Sequence, residues 1–189
     1  MKFHTVVIDP PWPYYIHVTP NYASAMTLER MASLPVRDLV DGYVFLWTTG
    51  PYLVEAFDLV KAWGFERKSM VYWVKTTMTG KVASSIGYWF RSSVEPVIVA
   101  AAPGVRAVRT NESAAIVSQR RGHSTKPEAF QDMVEKHFPG PYLEMFARRE
   151  RPGWTCIGGE ISGNDILVDM EALKEKDPDE WLAIGLYQS

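Results

Sequence analysis

Val6-Val7-Ile8-Asp9-Pro10-Pro11-Trp12 is the stretch of sequence that decides the fold. Its apolar start is rich in β-branched residues and predicts a buried strand, and the two prolines that follow end that strand abruptly. Asp9 is therefore expected at the carboxyl end of a strand, the edge where open α/β sheets bind their ligands. The stretch predicts a ligand site at this edge.

The chemistry of the Asp-Pro-Pro-Trp segment suits the binding of a planar amine. An ionised Asp9 offers only acceptors, the Pro10 carbonyl offers another, and the prolines bring no competing N–H donors. Such acceptors can draw the lone pair of an adenine-type amine out of conjugation with its ring, while Trp12 stacks on the base. Aspartate and proline are also ordinary turn residues, so a stiff turn without a ligand is the alternative.

Composition sets limits on the class of protein. The chain has 189 residues, of which 47% are hydrophobic, and a formal net charge of −2, which argues against a protein coated with basic residues. We predict a single domain over 1–189, with a core at about 3–161 and a tail at about 162–189. The single cysteine, Cys156, and the lack of a leader or a spanning apolar segment predict a cytoplasmic protein with no membrane partner and no metal site.

Hydrophobic periodicity predicts strands that alternate with helices, which favours a mostly parallel sheet flanked by helices. The segment from Thr76 to Ser93 supplies little to bury and is predicted to be a flexible loop that faces the substrate. Strands are predicted at Val6–Ile8, Tyr43–Trp47, Ser69–Val74, Val94–Ala101 and Tyr142–Phe146, and helices at Thr27–Ser33, from after Pro51 to Gly64, and from about Pro127 to before Pro139.

The start of the last predicted helix is a second candidate site. Thr125 and Glu128 have the spacing of a capping box, which would leave free amide groups pointing outward. With Lys126 beside it, this helix end suits an anion, either a cofactor carboxylate or a nucleic-acid phosphate. An ordinary capped helix with a surface lysine is the alternative. His123 is a lone histidine, which is more often structural than catalytic.

Several separated motifs give the chain a recognisable order. They are Asp9-Pro10-Pro11-Trp12, Phe45-Leu46-Trp47-Thr48, Trp73-Val74-Lys75, Gly87-Tyr88-Trp89, His123-Ser124-Thr125-Lys126-Pro127, Glu144-Met145-Phe146-Ala147-Arg148 and Gly153-Trp154. In this order, from about Val6 to Glu160, they resemble the DPPW-type adenine-N6 methyltransferases, the family of the catalytic subunit of the eukaryotic messenger-RNA adenosine-N6 methyltransferase. The chain looks like a prokaryotic or phage member.

The resemblance implies an α/β, Rossmann-like class I methyltransferase fold with S-adenosyl-L-methionine as cofactor. The motif order is permuted, so that the catalytic strand precedes the cofactor-binding segments. The implied catalytic residues are Asp9, Pro10, Pro11 and Trp12. The implied cofactor-binding residues are Ile8, Asp9, Lys126, Glu144, Phe146, Arg148, Gly159 and Glu160, and the implied substrate-binding residues are Trp12, Tyr22 and Lys75.

Further expectations attach to residues around these motifs. Glu144 and Phe146 alternate along a strand and are expected to share a face. The aromatic residues Tyr14, Tyr15 and Tyr22 are expected in a loop that closes over the base, and Trp47, Trp73 and Trp89 in the core or the pocket wall. Arginines at 106, 109, 120, 121, 148, 149 and 151 would favour nucleic acid if they converged near Asp9. The tail, with Leu167, Met170, Leu173, Trp181, Leu182 and Ile184, is expected to pack on the body or on another subunit.

The predicted function is adenine-N6 methylation of a nucleic acid. DNA is the preferred partner and RNA is the nearest rival. A catalytically silent subunit that binds nucleic acid or a protein partner is the alternative from another class, although it has no need for the Asp9 carboxylate. Cytosine-N4 methylation is a third option, which more often uses serine or asparagine in place of Asp9. A homo-oligomer or a protein partner stays open.

Overall fold

Seven strands and six helices are present in the computed structural model, which describes residues 2–14, 25–85, 89–120 and 125–175. The strands are β1 (Phe3–Ile8), β2 (Val40–Trp47), β3 (Glu66–Thr76), β4 (Val94–Ala101), β5 (Ala115–Gln119), β6 (Tyr142–Met145) and β7 (Trp154–Ile157). The helices are α1 (Leu28–Ala32), α2 (Val36–Leu39), α3 (Leu53–Ala62), α4 (Glu128–His137), α5 (Gly159–Ser162) and α6 (Ile166–Glu175), with a 3₁₀ turn at Gly50–Tyr52.

All seven strands belong to one sheet, in the order β5-β3-β4-β2-β1-β6-β7. Only β4 runs antiparallel to its neighbours β2 and β3, and the other adjacent pairs are parallel. Strand β4 pairs antiparallel with β3, the strand before it in the chain, as the two strands of a hairpin do. The mostly parallel, Rossmann-like sheet is confirmed, and β1, which leads to Asp9, comes before its neighbour β6, as the permuted order requires.

The alternation of side chains along β1 divides the core into two layers. Val6 and Ile8 pack on one face of the sheet with α1, α2, α3 and α6, whereas Val7 packs on the other face with α4. Burial on both faces explains why β1 is a continuous apolar run rather than an alternating one. The predicted central strand is therefore confirmed, and its carboxyl end carries Asp9.

Two predicted helix ends are confirmed in detail. Thr27 caps α1, since its hydroxyl accepts a hydrogen bond of 3.2 Å from the backbone N–H of Arg30. Gly64 follows the end of α3 with a φ of 79°, a left-handed conformation that glycine adopts without strain. The tail also packs on the body over the range that the structure describes, because Ile166, Met170 and Leu173 of α6 lie in the main core.

Other expectations from the sequence are wrong. Strands β5 and β7 were not predicted: β5 is a mostly exposed edge strand and β7 has only four residues, so neither has a strong apolar signal. The N-cap of α4 is Pro127 without a side-chain hydrogen bond, so the capping box of Thr125 and Glu128 does not form.

None of the helices in the described part of the chain has the length and apolar character to cross a bilayer.

Candidate active site

Asp9 lies at the carboxyl edge of the sheet, directly after β1. Its backbone N–H donates to the carbonyl of Met145 at 3.4 Å, which keeps Asp9 beside the end of β6. The Pro10 carbonyl accepts a 2.9 Å hydrogen bond from the backbone N–H of Trp12, so one of its two lone pairs is used within the motif. The second lone pair remains for a ligand.

Trp12 is held firmly in place beside Asp9. Its indole N–H donates to the Trp47 carbonyl at 3.1 Å, and its ring stacks on Tyr52 with centroids 5.3 Å apart and an interplanar angle of 15°. Only 5% of the residue is exposed. Trp12 is thus a wall of the site in this conformation, and stacking of a base on its free face stays a prediction.

A chain of alternating charges leads from Asp9 along the sheet edge. Lys126 Nζ lies 2.8 Å from Asp9 Oδ2 and 3.4 Å from Glu95 Oε2, and the other oxygen of Glu95 accepts a hydrogen bond from Lys75. The two ammonium groups also lie over aromatic rings, Lys126 over Trp47 at 5.1 Å and Lys75 over Trp73 at 5.2 Å. Both carboxylates are largely shielded from solvent.

These charges stabilise one another. Burial opposes the charge on Lys126, but the neighbouring carboxylates of Asp9 and Glu95 outweigh it and raise the pKa of Lys126 above its usual range. Burial likewise opposes the charge on Glu95, but the ammonium groups of Lys126 and Lys75 outweigh it and lower the pKa of Glu95. Lys126 and Glu95 are therefore both charged at neutral pH.

Glu144 lies on β6, the strand next to Asp9, and behaves differently. Burial raises its pKa to about 7; Arg149 acts in the opposite direction, while the charge of Asp9 adds to the effect of burial. Its Oε2 accepts a 2.5 Å hydrogen bond from the side-chain amide of Gln131 on α4. Glu144 therefore exchanges a proton near neutrality while its neighbour Asp9 is held by a lysine.

The expectation that Phe146 shares a face with Glu144 is wrong. Strand β6 ends at Met145, one residue earlier than predicted, and Phe146 has a φ of 60°, which turns the chain out of the strand. Phe146 packs against the core layer on the face opposite to α4, whereas Glu144 hydrogen-bonds to α4. Together these two residues flank the end of β6 from both sides.

Gly158 brings the end of β7 close to the turn at Phe146. A Cβ at Gly158 would lie 2.9 Å from the Cα of Phe146, and the φ of 147° is itself one that other residues rarely adopt. Gly159 and Glu160, which begin α5, follow directly. Glu160 Oε1 lies 3.5 Å from Nε of Arg148, and both side chains are exposed. The structure thus brings Arg148, Gly159 and Glu160 together beside Phe146.

Asp9 faces a pocket of about 130 Å³ that opens to solvent. The Asp-Pro-Pro-Trp motif and Tyr14 line one side of it, and Thr48, Thr49, Glu95, Lys126 and Arg148 line the rest. Ile8 is fully buried in the core and does not line this pocket, so its predicted contact with a cofactor stays a prediction. A larger pocket of about 290 Å³ lies towards the amino ends of β2 and β3, and none of the predicted site residues lines it.

Some predicted residues are not where the sequence placed them. Trp47 and Trp73 are buried as expected, but Trp89 is 93% exposed and is neither core nor pocket wall. Lys75 pairs with Glu95, and its contact with the substrate stays a prediction. The arginines at described positions do not converge: Arg149 and Arg151 pair with acidic side chains of α4, and among those described Arg148 alone lines the pocket. The predictions for Tyr15, Tyr22, Arg121 and His123 lie outside the described residues.

Glu95 is the member of the site that sequence reasoning missed. It lies opposite Trp73 in the antiparallel pair of β3 and β4, so its side chain reaches Lys75 two residues further along the same face. The available signal was a charge within the otherwise apolar strand Val94–Ala101, where Glu95 is the single charged residue. A carboxylate in a buried strand requires a partner, and here it has two.

A profile of the protein family described as MT-A70 matches residues 3–160 of the chain. The chain belongs to the MT-A70 family. This match spans every strand of the sheet, from β1 to β7, and all of the predicted site residues. The resemblance inferred from the separated motifs is therefore confirmed.

Individual relatives from the MT-A70 family and beyond agree with this assignment. The chain is 32% identical over 185 residues to the N(6)-adenosine-methyltransferase MT-A70-like protein of Drosophila melanogaster, covering 92% of this chain and 29% of that protein. It is 30% identical over 187 residues to the N(6)-adenosine-methyltransferase catalytic subunit METTL3 of Homo sapiens, covering 94% and 32%. It is 28% identical over 195 residues to the type II methyltransferase M.MunI of Mycoplasma sp, covering 88% and 81%.

The chain thus spans about a third or less of the eukaryotic relatives named here, but most of the mycoplasmal one. Activity, substrate and partners of the longer proteins are accordingly treated below as proposals for this chain.

The raised pKa of Glu144 predicts that the free energy of unfolding falls as the pH rises towards neutrality. Because the pKa is raised from 4.5 to about 7 in the folded state, the unfolded chain loses this proton first as pH rises. The resulting stabilisation is present below pH 4.5 and is lost by about pH 7, a loss of up to about 3 kcal/mol. Glu144→Gln, which is neutral at every pH, is expected to gain in free energy of unfolding over wild type across this interval.

Urea unfolding of both proteins between pH 4.5 and pH 8 measures this difference. Glu160→Gln removes a carboxylate that is exposed, and so controls for the loss of one negative charge. A difference between wild type and Glu144→Gln that does not change with pH would show that burial does not hold a proton on Glu144.

Proposed function

We propose that this chain is an S-adenosylmethionine-dependent methyltransferase that modifies the N6 amine of adenine in DNA. The observation that carries the proposal is the position of the Asp9 carboxylate and the Pro10 carbonyl, two acceptors at the carboxyl edge of the sheet that face an open pocket. Membership of the MT-A70 family and the names of its N(6)-adenosine methyltransferases support the choice of atom.

The residues at this edge are compatible with such a donor. S-adenosylmethionine supplies a methyl group on a sulfonium, and it also carries a carboxylate, an ammonium group and ribose hydroxyls. Lys126 offers a cation for the carboxylate of this donor. Glu144, on the strand next to Asp9, offers acceptors for the ribose hydroxyls of the donor. Phe146, Arg148, Gly159 and Glu160 lie around the end of β6, and Ile8 ends the neighbouring strand β1; all of these are proposed cofactor contacts.

The proposed work of Asp9 is to bind and orient the target amine. A hydrogen bond to a charged group contributes about 1.5 to 3 kcal/mol, which is short of the roughly 8 kcal/mol or more that enzymes supply. Alignment of the amine with the methyl group contributes roughly 7 to 11 kcal/mol more. Asp9 and Pro10 therefore act chiefly by fixing the direction of the amine, and the surplus proton of the product leaves to water or by way of Asp9.

The ion pair with Lys126 limits when Asp9 can bind the target amine. In the present conformation Lys126 Nζ occupies Asp9 Oδ2 at 2.8 Å, but Glu95 lies only 3.4 Å from the same ammonium group. A small shift of Lys126 towards Glu95, or towards the carboxylate of a bound ligand, would free the Asp9 oxygen for an amine. We propose that Lys126 makes this shift when both reactants are bound.

The choice of DNA rests on one relative. This relative is the mycoplasmal protein, which is named a type II methyltransferase and of which this chain covers 81%. The two relatives that are named for adenosine are each more than three times as long as the segment that matches this chain. The target adenine would be flipped from a duplex or taken from a single strand, since its amine is inaccessible within the stack.

Incubation of the purified chain with labelled S-adenosylmethionine and matched DNA and RNA oligonucleotides tests the proposal. We expect N6-methyladenine in the DNA digest by nucleoside mass spectrometry, and no label in an oligonucleotide with hypoxanthine in place of adenine, because hypoxanthine lacks the amine. Label in RNA alone would transfer the proposal to RNA. Calorimetry that detects nucleic-acid binding without donor binding would instead establish a silent subunit.

A further inference from the structure

The loop between β3 and β4 exposes large apolar side chains that the fold does not use. We call its described residues, 77–85 and 89–93, the aromatic arm. Its exposed side chains are Met78 at 87%, Val82 at 62%, Trp89 at 93% and Phe90 at 90%. Two aromatic rings left in water do not gain the stabilisation that burial of apolar surface provides. Clustered exposed apolar residues mark interaction sites.

The base of the aromatic arm is fixed at the same sheet edge as Asp9. Lys75 closes it twice, since its N–H donates to Ser93 at 2.9 Å and its carbonyl accepts from Ala83 at 2.8 Å. Further out, the N–H of Ser85 donates to the Ser92 carbonyl at 2.8 Å. Because the Lys75 side chain contacts Glu95 and Glu95 contacts Lys126, the arm begins three ionic contacts from Asp9.

The charges of the aromatic arm favour a polyanion. Residues 76–93 contain Lys81 and Arg91 and no aspartate or glutamate. Within the part of the chain that the structure describes, neither Lys81 nor Arg91 makes a salt bridge. The N–H of Arg120 at the end of β5 donates to the Thr76 carbonyl at 3.1 Å, which adds a third exposed cation beside the base of the arm.

We propose that the aromatic arm binds the nucleotides next to the target in an unpaired strand. Trp89 and Phe90 stack on their bases, and Lys81 and Arg91 bind the phosphates between them. A ligand with planar aromatic faces and a regular negative charge matches both features of the arm, as in single-strand binding sites. A paired duplex hides those faces. The proposal rests on the proposed function for the location of the target, and adds a preference for locally single-stranded substrate.

Fluorescence anisotropy of a labelled single-stranded oligonucleotide, with the full chain and without donor, tests the proposal. Stacking of one base corresponds to roughly 5- to 150-fold in affinity, and we expect Trp89→Ala to weaken binding within that range. Trp89→Leu should weaken it equally, because leucine keeps an apolar surface but has no flat ring. Phe90→Ala should act in the same direction.

A second arm of the experiment removes the bases instead of the ring. Abasic spacers on both sides of the target adenine should weaken binding to wild type to the same extent as the double variant Trp89→Ala/Phe90→Ala, and should change binding to that double variant by less than about 2-fold, as expected for interacting partners in a double-mutant cycle. Val54→Ala, which truncates a 70% exposed side chain on α3, is the matched control and should bind like wild type.

Two outcomes would overturn the proposal. One is wild-type affinity in both Trp89 variants with no effect of the abasic spacers. The other is a change of oligomeric state in Trp89→Ala by light scattering with unchanged oligonucleotide binding, which would assign the arm to a contact between copies of the chain. Because no methyl transfer is measured, loss of catalysis with intact stacking would refute only the proposed function.

Discussion

Replacement of Asp9 by asparagine is expected to lower the rate of methyl transfer at least about 100-fold while the donor affinity changes by less than about 5-fold. The amide group replaces one acceptor oxygen by a donor that faces the hydrogens of the amine. Each hydrogen bond to a charged group is worth about 1.5 to 3 kcal/mol, or roughly 10- to 150-fold in rate, and the misdirected amine adds to that loss.

Single-turnover rates are the appropriate measurement, since slow product release can mask a change in the chemical step. Asp41→Asn on β2 is the matched control, because Asp41 is a partly exposed aspartate that pairs with His4 rather than with the site. Urea unfolding checks that Asp9→Asn is folded. A single-turnover rate within 10-fold of wild type would mean that Asp9 does not hold the amine, and the carboxylate would then serve only to pair with Lys126.

The position of Asp9 is the part of the site that the sequence predicted best. A buried parallel strand gives an unbroken apolar run, and prolines cannot continue it. The residues next to Ile8 are therefore sufficient to predict where the strand ends. Lys126 was also recognised from local signals, although for a different reason: the helix cap that was expected around it does not form. Its actual partner Asp9 is 117 residues away in sequence.

Contacts of this kind explain what the sequence did not predict. Glu95 meets Lys75 and Lys126 only because β4 runs antiparallel between β2 and β3, and the direction of one strand is set by its connections rather than by its own residues. The turn at Phe146 is similar, since a φ of 60° in a non-glycine residue is maintained by the packing of the β7 end against it. Trp89 shows the opposite case, in which an apolar residue that suggested core is left in solvent.

The charge chain also relates stability to function. Asp9 and Glu95 are two largely shielded carboxylates that share the ammonium group of Lys126, and either alone would be costly to bury. The same arrangement gives Lys126 two alternative partners at 2.8 Å and 3.4 Å. A ligand that withdraws Lys126 from Asp9 therefore leaves it paired with Glu95, so the site can expose one carboxylate without losing the compensation of the other.

Replacement of Lys126 by methionine is accordingly expected to lower the free energy of unfolding by about 3 kcal/mol, the lower end of the loss on breaking a buried ion pair. Methionine keeps most of the side-chain volume, so the loss reports Asp9 without its lysine and Glu95 with Lys75 as its remaining partner. Addition of Asp9→Asn should recover part of the loss, because the carboxylate that has lost its lysine is then neutral. Urea unfolding at pH 7 measures all three proteins.

Lys174→Met is the matched control. Lys174 also bridges two carboxylates, those of Asp38 and Glu171, at 2.9 Å each, but both acceptors are 59% exposed. Exposed ion pairs contribute roughly 0 to 1 kcal/mol, so this substitution should cost less than about 1 kcal/mol. Equal losses for the two lysines would show that Asp9 and Glu95 do not depend on Lys126 for compensation. Movement of Lys126 away from Asp9 would then leave the lysine without a partner.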